Sequence, residues 1–115
     1  MRGTALIVDD APAFREAAAV VLSAAGYRVV GEAADAATAL RAIRDLAPTL
    51  VLLDVRLPDA NGLDVARTVV SQRNAPIVIL TSSADYSRVY AATGARAFLG
   101  KHELTPEAII EAACS

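Results

Sequence analysis

The sequence predicts an α/β fold: a single doubly wound (βα)5 domain, with five parallel strands and five helices in strict alternation. Three observations predict it. The runs Ala5-Leu6-Ile7-Val8, Leu50-Val51-Leu52-Leu53 and Ile77-Val78-Ile79-Leu80 are short and wholly apolar, as expected of strands buried on both faces. Stripes of apolar residues at helical spacing separate these runs, with little linker between. Polar residues then follow directly: Asp9-Asp10 after the first run, Asp54 after the second and Thr81 after the third.

Each element has its own signal. After the first strand, Phe14, Ala17, Ala18, Val21, Leu22 and Ala25 recur at helical spacing, and Gly26 supplies the stop. Arg28 to Ala33 reads as a short strand with polar ends, suited to an edge. Ala36, Ala39, Leu40, Ile43 and Leu46 form the second helical stripe, closed by Pro48. The strand ending in Asp54 leads into a turn-rich loop, Arg56 to Gly62, and then a third stripe of Leu63, Ala66, Val69 and Val70. Ala84 to Thr93 has a poor apolar stripe and reads as the weakest helix; Tyr86 and Tyr90 share a face if it forms. Ala97-Phe98-Leu99 is the last strand, running into Gly100-Lys101. Thr105-Pro106-Glu107 starts the final helix, with Thr105 as N-cap, Pro106 at the first helical position and Ile109, Ile110 and Ala113 facing inward.

Composition bounds the function. A chain of 115 residues, 55% hydrophobic and 21% charged, is one globular domain, taken as 1–115. A net charge of −2 provides no basic patch, so no direct nucleic-acid contact and no membrane surface are expected. No apolar stretch approaches the ~20 residues of a membrane span, and the start lacks a secretory pattern, so the expected location is cytoplasmic. The single cysteine, Cys114, gives no internal disulfide or zinc pattern and reads as a small buried hydrophobe. Ten of the eleven basic residues are Arg; the only Lys is Lys101, a compact point charge that Arg does not imitate.

Parallel strands bring Asp9-Asp10, Asp54, Thr81 and Lys101 to one edge of the sheet, the edge at which ligands bind in open α/β folds. Crowded carboxylates repel unless a cation joins them or one of them loses its charge. Phosphoryl transfer to a carboxylate needs this set, with Asp54 as nucleophile and Mg²⁺ (or Mn²⁺) held by Asp9 and Asp54, and by Asp10 through water. Thr81 and Lys101 would each bind a phosphoryl oxygen. Taken singly, the residues have plainer readings: a helix cap for Asp9 or Asp10, a turn for Thr81-Ser82-Ser83, a solvated charge for Lys101, simple core for Phe98. Their joint occurrence at successive strand ends favours the chemical reading.

Val8-Asp9-Asp10, Leu53-Asp54-Val55-Arg56-Leu57-Pro58 with Gly62, Leu80-Thr81-Ser82 and Phe98-Leu99-Gly100-Lys101 occur in an order and spacing that resembles the receiver domain of bacterial response regulators, along essentially the whole chain. The resemblance implies a flavodoxin-like sheet of order 2-1-3-4-5. It implies a two-component signalling role, with a histidine kinase donating to Asp54, rather than an enzyme turning over a separate substrate. It adds the backbone carbonyl of Arg56 as a metal ligand, Thr81 and Phe98 as a switch pair, and Arg56 and Ser83 as positions that modulate loss of the phosphoryl group. A long cationic Arg56 would shield the acyl phosphate, giving a lifetime of minutes or longer. The switch would repack the surface made by the fourth helical segment, the fifth strand and the last helix, controlling an output domain or partner, or a homodimer formed on phosphorylation.

The chain departs from the family pattern after the lysine, where proline with a cis bond is usual and His102 stands instead. Either the Lys101–His102 bond is trans with a different loop, or a non-proline cis bond persists at roughly 3–4 kcal/mol. His102 is the only histidine; a pH-tuned site and a plain exposed loop residue are both readings of it. Competing functions are a phosphorylation-independent pseudo-receiver and a haloacid-dehalogenase-like phosphatase. The latter needs an acid two residues after its nucleophile, where Arg56 stands. Nothing after Thr105 resembles a linker, which leans the expectation towards a stand-alone receiver.

Overall fold

Five parallel strands in the order β2-β1-β3-β4-β5 form the sheet, with β1 (Gly3–Val8), β2 (Tyr27–Ala33), β3 (Leu50–Asp54), β4 (Ile77–Ser82) and β5 (Ala97–Gly100). The computed structural model describes residues 2–114, so the outermost residues of the expected 1–115 domain, Met1 and Ser115, lie outside the described residues. Four α-helices cover the sheet: α1 (Pro12–Ala24), α2 (Ala36–Leu46), α3 (Gly62–Val70) and α4 (Pro106–Cys114). The polar-ended strand β2 takes an edge, as expected, and the short β5 takes the other.

Alternation along the strands explains why the central runs are apolar throughout. Leu6, Val8, Val51, Leu53, Val78 and Leu80 face one side, against Ala39 and Ile43 of α2 and Val65, Ala66 and Val69 of α3. Ala5, Ile7, Leu50, Leu52 and Ile79 face the other, against Ala18 and Leu22 of α1 and Ile109 and Ala112 of α4. With helices on both faces, neither side of a central strand meets water. Each of these large aliphatic side chains contributes ~1.5–3 kcal/mol by burial. The site at the strand ends thus rests on a fully buried base.

Two expectations are corrected. The stretch Ala84 to Thr93 is not an α-helix; only a 3-10 turn forms, at Tyr90–Thr93. Local polar bonds compete with helix propagation there: the Ala84 amide donates to Ser82 Oγ at 3.1 Å and the Ser87 amide to Asp85 Oδ1 at 2.8 Å. Gly94, with φ of 86°, then ends the turn. Tyr86 and Tyr90 nonetheless both pack, half-buried, against the α2/α3 side of the core. The second correction is Cys114, which is exposed rather than buried, because the end of α4 turns it outward.

Candidate functional site at the carboxyl ends of the strands

The ladder fixes the acidic residues before their side chains matter. The Asp9 amide extends the β1–β2 pairing by donating to the Ala33 carbonyl at 3.0 Å, and Asp54 is the register partner of Thr81. Asp9 is 0% exposed and Asp54 3%. Asp10, one residue on, points to solvent at the mouth. Asp9 is not the cap of α1, whose N-cap Ala11 makes no side-chain bond; Asp9 Oδ1 instead accepts from the Ala11 amide at 2.8 Å.

Lys101 reaches this pair from the end of β5. Its Nζ lies 2.7 Å from Asp9 Oδ2 and 3.4 Å from Asp54 Oδ2. The approach to Asp9 is an ionic contact whose direction leaves Oδ2 without a proper hydrogen bond. Burial acts against the charge on Lys101, but its pairing with Asp9 and Asp54 outweighs that and raises its pKa. Burial pushes the Asp54 carboxyl up to about 6; the Arg56 amide, donating at 3.2 Å, and Lys101 oppose the rise, while Asp9 adds to it. One ammonium therefore stands against two buried carboxylates, and that balance leaves room for further positive charge.

Asp9, Asp10 and Asp54 each offer an oxygen, all lying within 4.8 Å of one another. An all-oxygen set of this charge suits a hard divalent cation such as Mg²⁺ and not zinc or copper. Thr81 Oγ1 is fully buried beside Asp54 and has no hydrogen-bond partner. Phe98 on β5 is half-buried, edge-on to Tyr86 with centroids 6.0 Å apart. Ser83, Phe98, Gly100 and His102 line an adjoining cavity of about 390 Å³. The side chain of Arg56 is exposed, and its backbone pairs with Asn61 across the β3–α3 loop. All the expected residues thus gather at one edge, and the Lys101–His102 bond is trans, with no cis bond among the described residues.

Three contributors were not singled out from the sequence. Arg15 donates to the Asp9 carbonyl at 2.6 Å and to Glu32 Oε1 at 2.9 Å, tying α1 to the end of β2. Asp59 accepts from the Ala36 and Ala37 amides at 2.8 and 3.1 Å, so the loop after Asp54 caps α2. Phe14 places its ring 4.5 Å from Lys101 Nζ. Arg15 and Asp59 looked like ordinary helix and turn residues, and their partners lie 17 and 23 residues away. Phe14 carried only a core signal.

A family model described as the response regulator receiver domain matches residues 5–113. The DNA-binding response regulator MtrA of Mycolicibacterium smegmatis is 44% identical over 74% of this chain and 37% of its own length. The transcriptional regulatory protein PdtaR of Mycobacterium tuberculosis is 39% identical over 84% of the chain and 48% of its own length. The chain therefore spans less than half of either relative. Among solved structures, the signal receiver domain of NarL from Mycobacterium tuberculosis superposes with a TM-score of 0.85 at 35% identity, covering 98% of this chain and 97% of that one. A response regulator from Chloroflexus aurantiacus gives 0.85 at 26% identity over 100% of both chains.

Proposed function

The chain belongs to the response regulator receiver domain family, and we propose that it accepts a phosphoryl group on Asp54 in a reaction assisted by Mg²⁺ (or Mn²⁺). The observation that carries this reading is the convergence of three carboxylates within 4.8 Å, two of them buried, with Lys101 3.4 Å from Asp54. Asp9 and Asp54, with Asp10 through water and the Arg56 carbonyl, would hold the metal. Bound there, the metal supplies positive charge against the oxygens of the incoming phosphoryl group.

One Asp54 oxygen attacks phosphorus as the bond to the donor breaks, and the leaving group departs with that electron pair. The donor is a histidine kinase. Lys101 exchanges its contact with the Asp54 carboxylate for one with a phosphoryl oxygen, and the Thr81 hydroxyl gains in another phosphoryl oxygen the acceptor it lacks. Movement of Thr81 towards the acyl phosphate lets Phe98 repack beside the 390 Å³ cavity, altering the surface of residues 84–93, β5 and α4. An output domain or partner protein, or a second copy, reads that surface. Arg56 and Ser83, both exposed at the mouth, set how quickly water removes the phosphoryl group. We place its lifetime at minutes or longer, and complete loss within seconds would contradict this.

The test is intact mass after incubation with acetyl phosphate, with and without Mg²⁺. A gain of one phosphoryl group that needs the metal and disappears in Asp54→Ala supports the reading. No gain under any condition would replace it with a phosphorylation-independent interaction module.

A further inference from the structure

We infer that Phe14 is a positioning residue for phosphoryl transfer, its ring holding the Lys101 ammonium in line with Asp54. The inference rests on the phosphoacceptor reading above and deepens it. Lysine reaches its target on a flexible four-carbon stem whose end the backbone by itself does not aim. Side chains must therefore supply the aim.

Three groups surround Nζ: Asp9 Oδ2 at 2.7 Å, Asp54 Oδ2 at 3.4 Å and the Phe14 ring centroid at 4.5 Å. The carboxylates alone would draw the ammonium towards Asp9, the nearer and more deeply buried of the two. A ring face within about 6 Å attracts a cation, and does so more strongly where water is partly excluded, as here. Phe14 lies in the first turn of α1, five residues after Asp9, so one β1–α1 junction carries two of the three groups.

The root of the lysine is held separately. Glu103 Oε1 accepts from the Gly100 amide at 2.9 Å, closing the 3-10 turn Lys101–Glu103 on itself. That bond fixes where the stem leaves the backbone, and the ring acts on where it ends. Packing alone accounts for an apolar residue at position 14, since Phe14 also lies against the α1/α4 side of the core. Packing does not account for an aromatic face under the only lysine of the chain.

The single lysine makes the test direct. Lysine labelled with ¹³C and ¹⁵N gives one side-chain signal, and protons near a ring face are shifted upfield. We expect that shift in the wild type and in Phe14→Tyr, and its loss in Phe14→Leu, which keeps apolar volume but removes the ring. The initial rate of phosphorylation by acetyl phosphate with Mg²⁺ should fall about fivefold in Phe14→Leu and stay within about twofold in Phe14→Tyr. Phe14→Met serves in place of the leucine variant if that one fails to fold. An unshifted Lys101 in the wild type overturns the inference. So does a slower Phe14→Leu with an unchanged lysine signal, because the role is then structural. A shifted lysine in a wild type that takes up no phosphoryl group would instead sink the phosphoacceptor reading.

Discussion

Asp54 and Thr81 face one another across the parallel ladder of β3 and β4, and the next amide, Val55, donates to the Thr81 carbonyl at 2.9 Å. Backbone pairing therefore sets the hydroxyl beside the carboxylate, with no side-chain bond between them to hold it there.

A buried hydroxyl without a partner costs on the order of 1–3 kcal/mol. Thr81→Val, close in shape, should leave the stability of the unphosphorylated domain unchanged or raise it by about 1 kcal/mol. The same variant should lose the conformational response to phosphorylation. Denaturant melts and amide spectra before and after acetyl phosphate check both halves; a strongly destabilised valine variant would mean that Thr81 already has a partner.

The pKa of Asp54 gives stability a pH dependence with a definite sign. Burial raises the folded-state value to about 6, above the ordinary value of 3.8, so the folded protein binds the proton more tightly than the unfolded chain does. The Asp54 contribution is thus most favourable below pH 4 and is lost as pH rises towards and past 6. In chelator above pH 6, Asp54→Asn should be the more stable protein, by no more than about 3 kcal/mol. Thermal melts at pH 4 and pH 7.5 decide the matter: a gap that widens at the lower pH contradicts the assignment.

Lys101 is the cation closest to two buried carboxylates. Lys101→Met should lower stability near neutral pH by on the order of 2–4 kcal/mol, because it leaves charge buried without its partner. Mg²⁺ should recover part of that loss by binding the same oxygens. Metal titration followed by melting temperature reads this out. An equal response to Mg²⁺ in Asp9→Asn/Lys101→Met would place the ion elsewhere.

Gly62 opens α3 and lies against the backbone at the end of β3. A Cβ there would collide with the Asp54 carbonyl oxygen and stand 2.7 Å from Val55 Cα, both backbone atoms with no room to move. Gly62→Ala should cost at least about 2 kcal/mol and slow phosphorylation by displacing the Asp54 backbone. An alanine variant with wild-type melting and wild-type kinetics would rule out this close approach.

The sequence alone determined the sheet, the four helices that cover it and the edge that bears the site. Runs such as Leu50 to Leu53, alternating with helical stripes, read as parallel strands buried on both faces, and such strands deliver whatever follows them to one edge. Asp9, Asp54, Thr81 and Lys101 were legible for that reason: each is a polar residue at the end of a strand. The tertiary structure alone decided which way the lysine points, since its aim depends on Phe14 and Asp9, 87 and more residues distant in the chain. It also decided that residues 84–93 stay short of a helix. Helical periodicity is a local signal, whereas the side-chain bonds of Ser82 and Asp85 and the packing of both tyrosines against the core compete with it. Asp59 on α2 and Arg15 on the Asp9 carbonyl are contacts of the same kind, formed only once the sheet has brought distant loops together.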